Sequence, residues 1–158
     1  HIDCIYHALE EMRKDNYIPD ILCVLLANNV TVTPKMIQEC INIISCDYDN
    51  ISAVVPVYND NDHHPLRCKK LDNNGNLISY IEAATQISTN RQDLPKCYFL
   101  AHNFWILNTK KLLNHETGDA PWAFLGKSVK PYLIEESIDI HDKLDMVKAA
   151  SWISENYK

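Results

Sequence analysis

The sequence predicts an α/β domain on a mixed, mainly parallel sheet, and a few observations carry that expectation. The apolar run Ile21-Leu22-Cys23-Val24-Leu25-Leu26, a helical stripe opening at Thr33-Pro34 and a second apolar run over Ile51–Val57 follow one another directly. Strand, helix, strand at this spacing is the pattern of a parallel crossover. Further on, the segment Ser137–Met146 ends a β-branched pattern on Asp139 and then opens an amphipathic helix. A carboxylate at the carboxyl edge of a strand is placed to face a ligand crevice in such folds.

Each element has its own signal. Residues 1–15 read as a helix with Ile2, Ile5, Leu9 and Met12 on one face. Residues 20–26 read as a strand buried on both faces, ended by Asn28-Asn29. Thr33 is a good N-cap and Pro34 suits the first helical position, and Met36, Ile37, Cys40, Ile41 and Ile44 form the buried stripe that follows. After the strand over Ile51–Val57, residues 66–71 and 77–81 read as a hairpin turning at Asn73-Asn74-Gly75. Residues 82–97, with Thr85, Ser88, Thr89, Asn90 and Pro95, lack periodicity and read as a loop. A strand over 98–107, a short helix near 109–113, a loop from Gly118 to Gly126 rich in bulky residues and a strand over 129–134 come next. The last helix, about 142–156, is expected to start at an Asp142 cap and to bury Leu144, Val147 and Ile153.

Composition narrows the function. The 158 residues are 46% hydrophobic and 23% charged, the balance of a single globular domain over 1–158. A formal net charge of -6 with dispersed lysines and arginines argues against nucleic-acid polymers. No apolar run reaches the roughly 18 residues of a membrane helix, so the chain is expected to be soluble and free of membranes. The six cysteines form no Cys-x-x-Cys pair, read as small core residues, and suit a reducing cytoplasm. None of the three glycines, Gly75, Gly118 and Gly126, belongs to a phosphate-cradling loop. The chain opens on His1 and enters a helical pattern at once, as the middle of a longer protein would.

Five segments stand in a telling order: His63-His64-Pro65-Leu66-Arg67, Asp72-Asn73-Asn74-Gly75-Asn76-Leu77, Arg91-Gln92-Asp93-Leu94-Pro95, His102-Asn103-Phe104-Trp105 and Ser137–Asp145. In order and spacing they resemble the cytidylyltransferases that make CMP-activated nonulosonic acids, the CMP-sialic acid synthetase family, and the likeness runs over nearly the whole chain. The resemblance implies a Rossmann-like nucleotidyltransferase fold of which this chain is the C-terminal two-thirds or so, without the N-terminal loop that holds the CTP phosphates. It implies transfer of CMP from CTP to an acidic nine-carbon sugar of the sialic, legionaminic or pseudaminic type, with release of pyrophosphate. Mg²⁺, a homodimer and dimer contacts from residues 60–97 are implied with it. Without the phosphate loop, the chain alone is expected to turn over little CTP. The competing reading is a non-catalytic sugar-binding or dimerisation module.

The resemblance also assigns residues. Asp139 is the candidate magnesium ligand, since Mg²⁺ takes one or two carboxylates with phosphate oxygens and water. Its alternative role is to cap the last helix. His141 stands where many family members have a second aspartate, so either it joins the metal site, where Mn²⁺ would suit an imidazole better, or it hydrogen-bonds a neighbouring carboxylate. Arg91 matches the arginine of the Arg-Gln-x-Leu-Pro element and would grip the sugar carboxylate, with pairing to Asp93 as the alternative. The resemblance brings Asp139 and Arg91 to one crevice. Arg67 stands where the family often has Lys and would add a cation for sugar or phosphates. Asn103 and Trp105 fall on the strand matching Asn-Gly-x-x-Tyr, with Trp105 either walling the sugar or filling the core. Where the family shows a glutamine this chain has Ala27, which leaves Asn28 or Asn29 as substitute donors. His63 and His64, adjacent on extended chain, point apart and make no metal pair.

Overall fold

The computed structural model describes residues 2–82 and 87–157. In chain order its elements are α1 (Ile2–Lys14), β1 (Ile21–Leu25), α2 (Pro34–Cys46), β2 (Ala53–Asn59), β3 (Lys69–Leu71), β4 (Leu77–Ser79), β5 (Tyr98–Leu100), β6 (Phe104–Asn108), α3 (Thr109–Leu113), β7 (Val129–Leu133) and α4 (Lys143–Asn156). Short 3₁₀ turns stand at Pro65–Arg67, Arg91–Asp93 and Ala123–Leu125. The chain divides into two compact units, one of His1–Val57 with Leu100–Lys158 and one of Tyr58–Phe99.

The first unit is a sheet with helices on both faces. The five-stranded sheet has the order β1-β6-β2-β5, with β7 beside β2. The expected mainly parallel sheet is corrected here: β6 runs antiparallel to both β1 and β2, while β2 pairs parallel with β7. Two antiparallel steps leave β1 and β2 pointing the same way, so β1-α2-β2 remains a crossover, but one that straddles β6. Burial explains the insertion. β6 reads Phe-Trp-Ile-Leu-Asn and is buried along its whole length, whereas β1 is only half-buried and lies at the edge.

Alternation along the strands sorts the core into two layers. Val55, Val57, Trp105 and Leu107 face α1 through Ile5 and Leu9, while Val54, Phe104 and Ile106 face α2 through Cys40 and Ile44. The expected stripes of α1 and α2 are thus the ones that pack. Thr33 caps α2 as expected, its Oγ1 accepting the Met36 N–H at 3.2 Å. The expected strand 98–107 is broken into β5 and β6 at Ala101–Asn103, where His102 takes a φ of 49°.

α4 departs from its expected face. Leu144, Val147 and Ile153 are exposed, and the helix instead buries Ala149 and Trp152 against Ile138, with Val30 and Ile140 alongside. One indole with a small residue a turn away buries more apolar area than the branched side chains would. Among the cysteines only Cys40 is buried; Cys4, Cys23, Cys46 and Cys68 are exposed, which corrects their reading as core residues.

In the second unit, β3 and β4 pair antiparallel with Leu71 opposite Leu77. The Asp72 carboxylate organises the turn, accepting the N–H groups of Asn74 (2.9 Å) and Asn76 (2.8 Å), and Gly75 takes the φ of 83° the turn requires. Residue 66 belongs to the 3₁₀ turn and not to the hairpin. The stretch 83–86, with Thr85, lies outside the described residues.

Candidate functional site

Asp139 lies where the chain leaves β7 and approaches α4, and a lone antiparallel bridge joins it to Asn29 at the exit of β1. Backbone bonds fix that junction: Val30 N–H donates to the Ile138 carbonyl at 3.3 Å and Ile140 N–H to the Asn28 carbonyl at 2.7 Å. Three expected site residues therefore meet. Asn28 Nδ2 donates to Asp139 Oδ1, and His141 Nε2 sits 2.9 Å from Asp139 Oδ2. The cap of α4 belongs to another residue, Asp142, whose Oδ1 accepts the N–H groups of Leu144 at 2.7 Å and Asp145 at 3.0 Å. Asp145 answers through Oδ2, accepting the His141 and Asp142 N–H groups, and the His141 N–H bond is the first cause holding its carboxyl below the ordinary range. Asp139 is left free of capping, with its side chain 37% exposed.

Beneath this corner is a buried amide frame. Asn29 donates to the Ala101 carbonyl at 3.0 Å and to Ser137 Oγ at 2.8 Å, and accepts the Thr31 N–H at 3.0 Å. Asn103 is fully buried; it donates to the Thr31 carbonyl at 2.7 Å and accepts the Phe104 N–H at 2.8 Å. Both ends of that amide hold backbone. Trp105 is 2% exposed and packs in the α1 layer with its ring 5.2 Å from that of Phe124.

A cavity of about 620 Å³ in the same unit involves none of the expected site residues. It is walled by Leu100, Trp122, Leu125 and Val129, with Asp119 and Lys127 among its polar lining. The loop that builds it closes on two glycines: a Cβ on Gly118 would run into the Gly126 carbonyl, and one on Gly126, whose φ is 81°, would meet Ser52. Glu116 ties the return, accepting the Lys127 N–H at 3.0 Å and Lys111 Nζ at 3.2 Å. Sequence gave a hint only in the bulky residues between Gly118 and Gly126, because a cavity wall is set by how the loop folds back.

The second unit carries the cations. Arg91 Nη1 meets both oxygens of Asp62, at 2.8 and 2.7 Å, and so pairs with Asp62 and not with Asp93. That carboxylate raises the guanidinium above its ordinary value. Arg67 is exposed at the end of a 3₁₀ turn, with no side-chain partner among the described residues. His63 Nδ1 lies 2.6 Å from Asp60 Oδ2, whereas His64 is buried with Nε2 3.1 Å from the Pro95 carbonyl. The two imidazoles serve different partners, as adjacent extended residues should.

No group of three or more His, Cys, Asp or Glu side chains suited to a metal occurs among the described residues. The Asp139 corner offers a single carboxylate with an imidazole beside it. That set fits a cation of the magnesium kind held by one carboxylate, water and phosphate oxygens, once an Asp139 oxygen exchanges its present hydrogen bond; it does not fit a cation that needs several protein ligands.

No family model matches the sequence, and no curated protein matches it. Among solved structures, the chain is similar to CMP:2-keto-3-deoxy-manno-octonic acid synthetase complexed with CTP, with a TM-score of 0.56 and 8% identity over 94% of this chain and 66% of that one. The α/β fold is therefore similar to that of this synthetase, and the chain spans about two thirds of the length of the structure it matches.

Proposed function

We propose that this chain is part of an enzyme that transfers CMP from CTP to the anomeric hydroxyl of an acidic nine-carbon sugar. The new bond joins the sugar oxygen to the α-phosphorus, the bond to the β-phosphate oxygen breaks, and pyrophosphate leaves while the hydroxyl gives up its proton. The observation that carries the reading is a fold shared with a CTP-bound synthetase over 94% of the chain, on which the five motifs stand in order.

Side chains in such a reaction chiefly position reactants and neutralise charge. Arg91 supplies the guanidinium for the sugar carboxylate, and Arg67 a second cation. Asn28 holds one oxygen of Asp139 and fixes its direction, while His141 holds the other. When bound, Mg²⁺ would neutralise the triphosphate, with Asp139 as its protein ligand. Mn²⁺ is the ion an added His141 ligand would favour. A cavity of about 620 Å³ lies in the range small-molecule sites occupy, and its aromatic wall suits a ring. Trp105 packs in the same core layer as Leu125 and Trp122 of that wall, whereas Asn103 holds backbone at Thr31 and Phe104.

We assign the homodimer to the second unit. Leu71 and Leu77 are 66% and 73% exposed on one side of the β3–β4 ribbon, and Ile78 and Tyr80 are exposed as well. A two-stranded ribbon is marginal by itself, so a second copy covering it would stabilise both.

One observation favours the non-catalytic module. Both Asp139 oxygens already have partners, Asn28 and His141, within the chain. The test is CTP-dependent pyrophosphate release by the protein as the cell makes it, offered sialic, legionaminic and pseudaminic acids. Release with one of them is expected, with little turnover by the 158-residue chain alone. Folded protein silent on all three leaves the module reading.

A further inference from the structure

Asp62 stands on a loop that is fixed independently of its ion pair. Asp60 Oδ1 accepts the N–H groups of Asp62 at 2.9 Å and His63 at 3.1 Å. Asn61 reaches across, donating to the Arg91 carbonyl at 3.3 Å and accepting the Cys97 N–H at 3.3 Å and Asn59 Nδ2 at 3.1 Å. The backbones of residues 62 and 91 are thus held in register before their side chains meet. A surface ion pair without such anchoring would be one geometry among many.

The form of the contact matters. Asp62 spends both oxygens on Nη1 alone, and Nη2 and Nε have no partner among the described residues. Those two nitrogens lie on one edge of the guanidinium plane, spaced to meet both oxygens of a carboxylate. Arg91 and Asp62 line a recess of about 320 Å³ together with Asn59, Asp60, Asn61 and Gln92, all of them polar. Such a lining suits a hydroxylated acid and offers nothing to an aromatic or aliphatic ligand.

We propose that Asp62 is a positioning residue, which holds Nη1 so that the Nη2–Nε edge of Arg91 is presented to the carboxylate of the ligand. The proposal rests on the reading of that ligand as an acidic sugar. A free arginine loses rotamer freedom when it binds, and Asp62 removes that loss beforehand. The Asp62 charge also repels an incoming anion, but both side chains are more than half exposed and solvent screens that repulsion. An asparagine at this position keeps an acceptor for Nη1 and drops the charge.

The experiment is a titration of the isotopically labelled chain with a sialic acid and with its methyl ester, following the Arg91 Nε–H resonance. The acid is expected to shift that resonance and the ester to leave it. Asp62→Ala weakens acid binding about fivefold, Asp62→Asn binds at least as tightly as wild type, and backbone amides outside the two loops stay unchanged. Equal or tighter binding of the acid by Asp62→Ala overturns the positioning role while leaving the acidic-sugar reading intact. If folded wild-type chain binds neither compound, or both alike, the acidic-sugar reading falls and the proposal with it.

Discussion

Asn28 and Asn103 are the same residue type and were candidates for the same work, yet their surroundings separate them. Asn28 is exposed and touches the Asp139 carboxylate; Asn103 is buried and ties two stretches of backbone. Asn28→Ala should therefore lower kcat/KM roughly tenfold with little change in Tm, as loss of a ligand's supporting partner does. Asn103→Ala should do the reverse. It strands the Thr31 carbonyl and the Phe104 N–H inside the core, so unfolding in denaturant should come about 2–3 kcal/mol easier while activity per folded molecule holds. Asp139→Asn tests the charge itself, with turnover expected to drop by about two orders of magnitude if it serves the triphosphate. Arg91→Lys keeps a cation but loses the fork, and KM for the acidic sugar should rise with KM for CTP unmoved.

At the scale of elements, α4 rests on its first turn. Asp142 and Asp145 form a reciprocal box, and the Asp145 carboxyl is lowered because it accepts backbone N–H bonds in the folded chain. The lowered group contributes stability that is fully present above its unfolded pKa and is lost as pH falls through the folded one. Protection of the α4 amides, measured against the intrinsic exchange rate at each pH, should accordingly fall below the ordinary carboxylate range, and Asp142→Ala should give the same fraying at neutral pH at a cost of about 1 kcal/mol. The cavity loop depends on glycine for a different reason. Gly118 leaves space for the Gly126 carbonyl, so Gly118→Ala forces backbone to move and should lower Tm and disturb the Trp122 environment seen by fluorescence.

For the whole molecule, the exposed ribbon predicts association: Leu71→Asp with Leu77→Asp should yield monomers by sedimentation, with the secondary structure retained. The same scale decides how much of this protein could be read from its residues in order. The helical stripes of α1 and α2, the Thr33 and Asp142 caps and the Asp72–Asn76 turn are local, since each depends on neighbours a few residues away, and the sequence by itself determined them. Strand order was decided by the tertiary structure alone. β6 enters between β1 and β2 because its apolar residues gain most from two covered faces, a comparison among distant segments that no single segment contains. Trp152 displaces the branched residues of α4 for the same reason, and Arg91 finds Asp62 in place of its near neighbour Asp93 because loop anchoring, not proximity along the chain, sets which charges meet. Local propensity acts within a few residues; burial and pairing are settled only when remote surfaces compete for the same contacts.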